Sequence, residues 1–92
     1  MLDKIKKIHG INHNEFDETI NMWIESAKLD LESIGIVDTK VDSSDSLVQT
    51  AIITYVSSFL DIDNADLYAN SYVLQKDVLR HTKEYIEADN EI

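Results

Sequence analysis

The side chains with chemical reach in this sequence are three histidines and several groups of carboxylates. His9 and His13 flank a turn around Gly10, and His81 lies far along the chain. An imidazole beside a carboxylate can hold a transition metal, but a zinc site needs ligands at paired short spacings, and these three do not supply them. Surface histidines account for the pattern. There is no cysteine, which removes disulfides and thiolate metal ligands together. The run Asp61, Asp63, Asn64, Asp66 has the oxygen density of a calcium loop. A helix–loop–helix calcium site also requires glycine at its sixth position and a bidentate glutamate at its twelfth. Those positions hold Asp66 and Tyr72, so helix capping and dipole compensation explain the cluster. Asp17, Glu18 and Glu25 could be imagined as acid–base partners. Such a pair needs a cleft that drives two pKa values apart. These residues scatter over a solvated helix face, with no nucleophile, oxyanion device or glycine-rich phosphate loop beside them. The sequence therefore assigns no catalytic, cofactor-binding or metal-ligating residue, and it reads as a non-enzyme without a cofactor.

One triplet has a more specific shape. Asp45-Ser46-Leu47 resembles the attachment site of the acyl carrier family, in which a serine at a helix start bears a phosphopantetheine arm. Small size, acidity and helicity are similar too. That family displays acidic residues on the helix after the serine, whereas residues 46–60 here carry no charge. A capped core helix is the simpler account, and an acyl-carrier-like protein using Ser46 stands as an alternative.

The elements that must position these residues are helical. The chain has no proline and only two glycines, Gly10 and Gly35, both where breaks are wanted. Leu2, Ile5 and Ile8 predict a short amphipathic helix or 3₁₀-like turn over residues 2–9, ended by Gly10 and too short to stand alone. Asn14 is the expected N-cap of a second helix running to about Ser33, with Glu15, Asp17 and Glu18 near its positive end. Phe16, Ile20, Trp23 or Ile24, Ala27, Leu31 and Ile34 recur on its inner face. Gly35 then fits a C′ position, with Ile36 making the hydrophobic contact beyond it.

Residues 37–44 read as an acidic loop, with a brief extended stretch at Ile36 and Val37. Ser43, Ser44 and Asp45 all offer caps for a third helix over about 45–60, and Ser46 with Gln49 has the spacing of a capping box. Leu47, Val48, Ala51, Ile52, Tyr55, Val56, Phe59 and Leu60 give this helix a wide apolar arc. It is predicted to be central, packed against several neighbours or against another subunit. After a break at Asp61, Asp63 and Asn64, with Asp63 or Asn64 as cap, a fourth helix is predicted over about 65–87. Leu67, Ser71, Leu74, Val78 and Tyr85 line one stripe of it; Tyr68, Tyr72, Leu79 and Ile86 line the next. Ser71 is a candidate bend, and residues 88–92 are expected to fray. The expected fold is all-α: a small bundle of three longer helices plus a short N-terminal helix, forming one domain over residues 1–92.

Composition narrows the partners. The chain has 92 residues, 43% of them apolar, enough for a real core. Its 18 acidic residues against 8 Lys plus Arg give a formal net charge of -10. Such a surface repels phosphate backbones, which disfavours nucleic-acid binding but suits a protein that touches DNA without holding it. It would also suit an acidic inhibitor of a basic or DNA-binding partner, a second alternative. Lys4, Lys6 and Lys7 interrupt the first apolar residues, so no secretory signal is expected. No uncharged run is long enough for a membrane span. Trp23, Tyr55, Phe59, Tyr68, Tyr72 and Tyr85 could supply both core and interface, since aromatics are enriched at interface centres.

Taken in order, these features resemble the small head–tail connector proteins of tailed bacteriophages, also called head-completion, adaptor or DNA-packaging proteins. The likeness runs over residues 1–86. It includes the short Leu2/Ile5/Ile8 helix, the acidic opening at residues 14–18 and the helix ending in Leu31, Ile34 and Gly35. It continues through the apolar helix around Val48, Ala51, Ile52 and Val56. The most telling stretch is the tyrosine-rich segment holding Asp66, Leu67, Tyr68 and Tyr72. It leads into a Leu-x-x-Asp-x-Leu-Arg run at Leu74, Asp77, Leu79 and Arg80. The short loop at 37–44 lacks the longer insertions of some members. The resemblance implies a virion protein at the head–tail interface, synthesised in the bacterial host cytoplasm. It implies a ring of about twelve copies, closed by rotation of one heterologous contact, that lies between portal protein and tail or stopper protein. DNA would pass through the channel without sequence-specific binding, and an acidic lumen would ease that passage.

Overall fold

The computed structural model describes residues 1–41 and 45–86. Six α-helices follow in order: α1 (Leu2–Ile8), α2 (Asp17–Ser33), α3 (Asp38–Val41), α4 (Ser46–Leu60), α5 (Ala65–Arg80) and α6 (Lys83–Ile86), with a 3₁₀ turn at Ile62–Asn64 before α5. The fold is all-α, with no strand among the described residues. It is elongated, 47 × 23 × 18 Å along its principal axes.

Both glycines end helices as the sequence suggests. Gly10 has φ 68° and Gly35 has φ 100°, left-handed values that a β-carbon resists. After α2 the Gly35 amide donates to the Glu32 carbonyl (3.0 Å) and the Ile36 amide to the Leu31 carbonyl (3.1 Å). This paired closure satisfies the last carbonyls of the helix, and Ile36 then packs into the same core as Leu31. After α1 the same pattern joins Gly10 to Lys7 and Ile11 to Lys6.

The starts of helices differ more from expectation. The expected cap Asn14 does not cap α2, which begins at Asp17 after Phe16. The Asn14 side-chain oxygen instead accepts from Lys6 Nζ at 2.8 Å. Lys6 also reaches the Asp17 carboxylate at 2.8 Å, so the two residues tie α1 to the first turn of α2. At α4 the cap is Asp45, whose Oδ1 accepts from the amides of Leu47 (2.9 Å) and Val48 (3.2 Å). Ser43 and Ser44 lie outside the described residues. The expected Ser46–Gln49 capping box is absent, because Ser46 already sits inside the helix and Gln49 Oε1 accepts from Lys4 Nζ at 3.1 Å. Before α5, Asn64 occupies the cap position, but its amide donates to Asp61 Oδ2 at 3.0 Å.

Two stretches fold differently from the reading above. Residues 38–41 of the expected loop form a single helical turn, α3, while Ile36 and Val37, expected to be extended, form no strand and lead into it, the Val37 amide donating to the Tyr85 carbonyl (2.8 Å). The fourth predicted helix is two: α5 runs unbroken past Ser71, and the break comes at His81 and Thr82. There the Thr82 hydroxyl bonds the Val78 carbonyl (2.7 Å) and the Thr82 amide the Leu79 carbonyl (3.1 Å). These local bonds compete with helix continuation and turn α6 so that Tyr85 docks in the core, 3% exposed.

The centre is α4, which packs on α2 and, more extensively, on α5. Val48, Ala51, Ile52 and Val56 are buried between them, with Ile5, Ile20, Ile24, Leu31, Ile36, Leu79 and Val41 closing the core. Each fully buried aliphatic side chain of this kind contributes about 1.5–3 kcal/mol. The buried hydroxyls of α4 are satisfied locally or by α1: Thr54 donates to the Thr50 carbonyl (2.8 Å), and Ser57 pairs with His9 Nε2 (2.8 Å). An uncharged helix with hydroxyls can therefore be central without orphan polar groups.

Candidate functional site

The residues with chemical potential are dispersed. His9 bonds buried Ser57 and meets the edge of Tyr68. His13 accepts from the Glu15 amide through Nδ1 and packs on Phe16. His81 folds back on the Asp77 carbonyl. Asp17 pairs with Lys6 and Glu25 with Lys28, while Glu18 is exposed, so the three carboxylates do not share a cleft. Asp61, Asn64 and the turn between them form a capping arrangement, with exposed Asp63 and Asp66 beside it. Among the described residues, no three His, Asp or Glu side chains are placed to hold a metal ion. Ser46 is exposed at the first turn of α4, and its carbonyl accepts from Thr50 (2.7 Å).

Two polar links bind the helices together. The Tyr72 hydroxyl donates to Asp30 Oδ2 at 2.7 Å, and Lys76 Nζ reaches the same oxygen at 3.0 Å. Partial burial pushes the Asp30 carboxyl up, but the two hydrogen bonds and the Lys76 charge outweigh it and hold its pKa below the ordinary value. Tyr72 is pushed well above its ordinary value, by burial first and then by the Asp30 carboxylate. At the other end, the Tyr85 hydroxyl lies 3.0 Å from both oxygens of Asp45, the α4 cap, and Lys40 sits 5.2 Å over the Tyr85 ring. Burial raises the Asp45 carboxyl, and the amides of Val48 and Leu47, Tyr85 and Lys40 together bring it below its ordinary value. The first link joins α2 to α5; the second joins α3, α4 and α6.

The aromatic residues are shared between core and surface: Tyr72 and Tyr85 are buried, Trp23, Tyr55 and Tyr68 half-buried, and Phe16 and Phe59 exposed. Trp23 stacks on Phe59 (centroids 5.2 Å apart), Phe59 meets Tyr55 (5.3 Å) and Tyr55 meets Tyr72 (5.2 Å), a ladder across α2, α4 and α5. Most of the other exposed apolar side chains are aliphatic. On α5, Leu67 (64% exposed), Leu74 (67%) and Val78 (57%) line a stripe with Ser71, beside Leu47 (50%) at the start of α4. The sequence reading recognised that stripe but not its exposure. On α2, Met22 (64%) and Leu29 (66%) stand on the side away from the core. They were missed, although both fall outside the Ile20/Ile24/Ala27/Leu31 stripe. Contiguous exposed apolar faces mark interaction surfaces, and this chain has one on each of two long helices.

A family model described as phage connector protein matches residues 1–85, through the five helices α1–α5 and most of α6. The chain belongs to the phage connector family. No curated protein and no solved structure matches it. The connector match gives the aliphatic faces their context: this is an all-α bacteriophage head–tail connector, of a structural rather than enzymatic family, that associates with other head and tail proteins. No helix among the described residues is long and apolar enough to cross a membrane.

Proposed function

We propose that this connector assembles as a ring of about twelve copies, closed by one repeated heterologous contact, between the portal vertex and the tail. It extends the DNA channel and presents its far rim to the tail or stopper protein. The observation that carries this reading is the pair of exposed apolar faces, on α2 and on the α4–α5 side, in a chain matched by the connector model over residues 1–85. A monomer with net charge -10 gains solubility from its acids, not from displaying Met22, Leu29, Leu67, Leu74 and Val78 to water. Two different faces on one chain suit a head-to-tail contact rather than a two-fold one. The acidic balance supports a lumen that passes DNA without retaining phosphate. The chain acts here as one helical unit, with no catalytic step and no cofactor, at the head–tail interface of the virion after synthesis in the host cytoplasm.

Native mass spectrometry across a concentration series, alone and with the cognate portal ring, tests this. A closed ring, or about one copy per portal subunit, is the expected result. A persistent monomer that ignores the portal overturns it. A covalent mass on Ser46 would put the carrier alternative in its place, and competition with DNA for a basic enzyme would do the same for the inhibitor alternative.

A further inference from the structure

The turn between α4 and α5 carries acids that the fold leaves without a counter-charge. Asp61 accepts only from the neutral side-chain amide of Asn64, and Asp63 and Asp66 are exposed. Among the described residues no base pairs with any of the three, whereas Asp17, Glu25, Asp30, Asp45 and Asp77 each face a lysine or arginine. The positive end of α5 makes the cluster tolerable, but it does not account for the apolar surface beside it. Ile11, Phe16, Leu60 and Ile62 share an open cleft of about 470 Å³ with Asp61 and Asp63. Ile62 is 81% exposed, more than any other large apolar side chain among the described residues, and Phe16 is 48% exposed.

The cleft is preformed. Ile62 stands on a closed 3₁₀ turn, in which the Asn64 amide donates to the Asp61 carbonyl (3.1 Å) and the Asp61 amide to the Ser57 carbonyl (2.9 Å). His9 also lines the cleft, and its 2.8 Å bond to buried Ser57 fixes that wall. Little freedom is lost when such a surface takes a partner. Charge then selects the partner. The unpaired carboxylates favour bases, and the net charge of -10 favours a basic protein over nucleic acid or another acidic chain. A second copy is a poor occupant. Its exposed base–apolar neighbours at Lys7 and Ile8 lie on α1, next to the His9 that lines this same cleft. A copy offering them would bring its own Asp61 and Asp63 towards those of the first.

We infer that this cleft receives a segment of a neighbouring head or tail protein in which an apolar side chain is flanked by lysine or arginine. The apolar side chain packs on Phe16 and Ile62, and the bases meet Asp61 and Asp63. This rests on the connector reading above and adds a surface to it, made of other residues than the faces on α2 and α5.

The test titrates the full ¹⁵N-labelled chain with three capped peptides. One is Gly-Lys-Leu-Arg-Gly; the second replaces its leucine by serine, and the third replaces both bases by glutamate. The expected result is amide shifts at Ile11, Phe16, Leu60 and Ile62 with the first peptide alone, weakening as salt rises. Ile62→Ser and Asp63→Lys, both at exposed positions, abolish those shifts while circular dichroism stays that of the wild type. Each variant is then mixed with the cognate portal and, separately, with the cognate tail-side protein. Binding to one of the two should fall about tenfold or more, with ring formation by native mass spectrometry unchanged. No response to the basic peptide, together with unchanged partner binding by both variants, overturns this inference and leaves the ring reading standing. Equal shifts with the glutamate peptide overturn it as well, since charge then plays no part. The same shifts appearing with chain concentration alone overturn it in favour of a second copy. A wild-type chain that neither forms a ring nor binds the portal overturns the connector reading, and with it a head or tail protein as the occupant.

Discussion

Replacing Tyr72 by phenylalanine isolates one hydrogen bond. The ring is 7% exposed and keeps its contact with Tyr55, 5.2 Å away, so packing is preserved. What is lost is the 2.7 Å bond from the hydroxyl to Asp30 Oδ2. A hydrogen bond to a charged group contributes about 1.5–3 kcal/mol. The Asp30 side chain is 36% exposed and still holds Lys76, so water and lysine recover part of the loss. We therefore expect Tyr72→Phe to cost about 1–1.5 kcal/mol at neutral pH. In a domain of this size that lowers Tm by about 5–10 °C. The pH dependence gives a sharper signature. The Asp30 carboxyl lies below its ordinary value in the folded chain, so its ionised form is favoured by folding. That contribution is full above the unfolded pKa and is lost as pH falls through the folded one. Since Tyr72 is one cause of the depression, the gap between wild type and variant should be widest near neutrality and close on acidification. Urea unfolding followed by far-UV circular dichroism, from pH 7 down to about 3, measures it. A gap that stays constant across that series, or a variant as stable as wild type at neutral pH, would refute the reasoning.

Other positions give separate checks. Asp45→Ala removes the α4 cap and both Tyr85 contacts and should cost about 1–2 kcal/mol in urea unfolding. Asp45→Asn, which keeps a capping oxygen, should recover part of that. Gly35→Ala should cost about 1–3 kcal/mol from backbone conformation alone, since φ is 100° and an added β-carbon meets nothing within 4 Å. The matching change at Gly10, with φ 68°, should cost less, because that value lies nearer the left-handed region L residues tolerate. Gln75→Leu should raise the thermal stability of the isolated chain, by about 1 kcal/mol, because it removes the unpaired buried oxygen.

The two ends of α5 show how the family likeness and the fold were read at different levels. The tyrosine-rich segment around Tyr68 and Tyr72 and the run to Arg80 carried the resemblance, and the family match over residues 1–85 bears it out. The interaction surface was less legible. A helix with two adjacent apolar stripes leaves open which one faces inward. Tyr72 and Leu79 went in, while Leu67, Leu74 and Val78 stayed in water. The Asp30–Tyr72–Lys76 link joins residues more than forty positions apart, and no local pattern announces it.

By itself the sequence determined that the chain is helical, where α4 lies, and that Gly10 and Gly35 end helices. Those outcomes rest on local physics: apolar periodicity, the absence of proline, and left-handed backbone that favours glycine. Tertiary structure decided the rest. Asn14 could have capped α2, but Lys6 claimed its oxygen. Ser71 could have bent α5, but the break fell at Thr82, where turning the chain lets Tyr85 reach the core and the Asp45 cap. A side chain with two possible partners takes the one the packed fold brings near, and that choice depends on contacts between distant residues rather than on spacing along the chain.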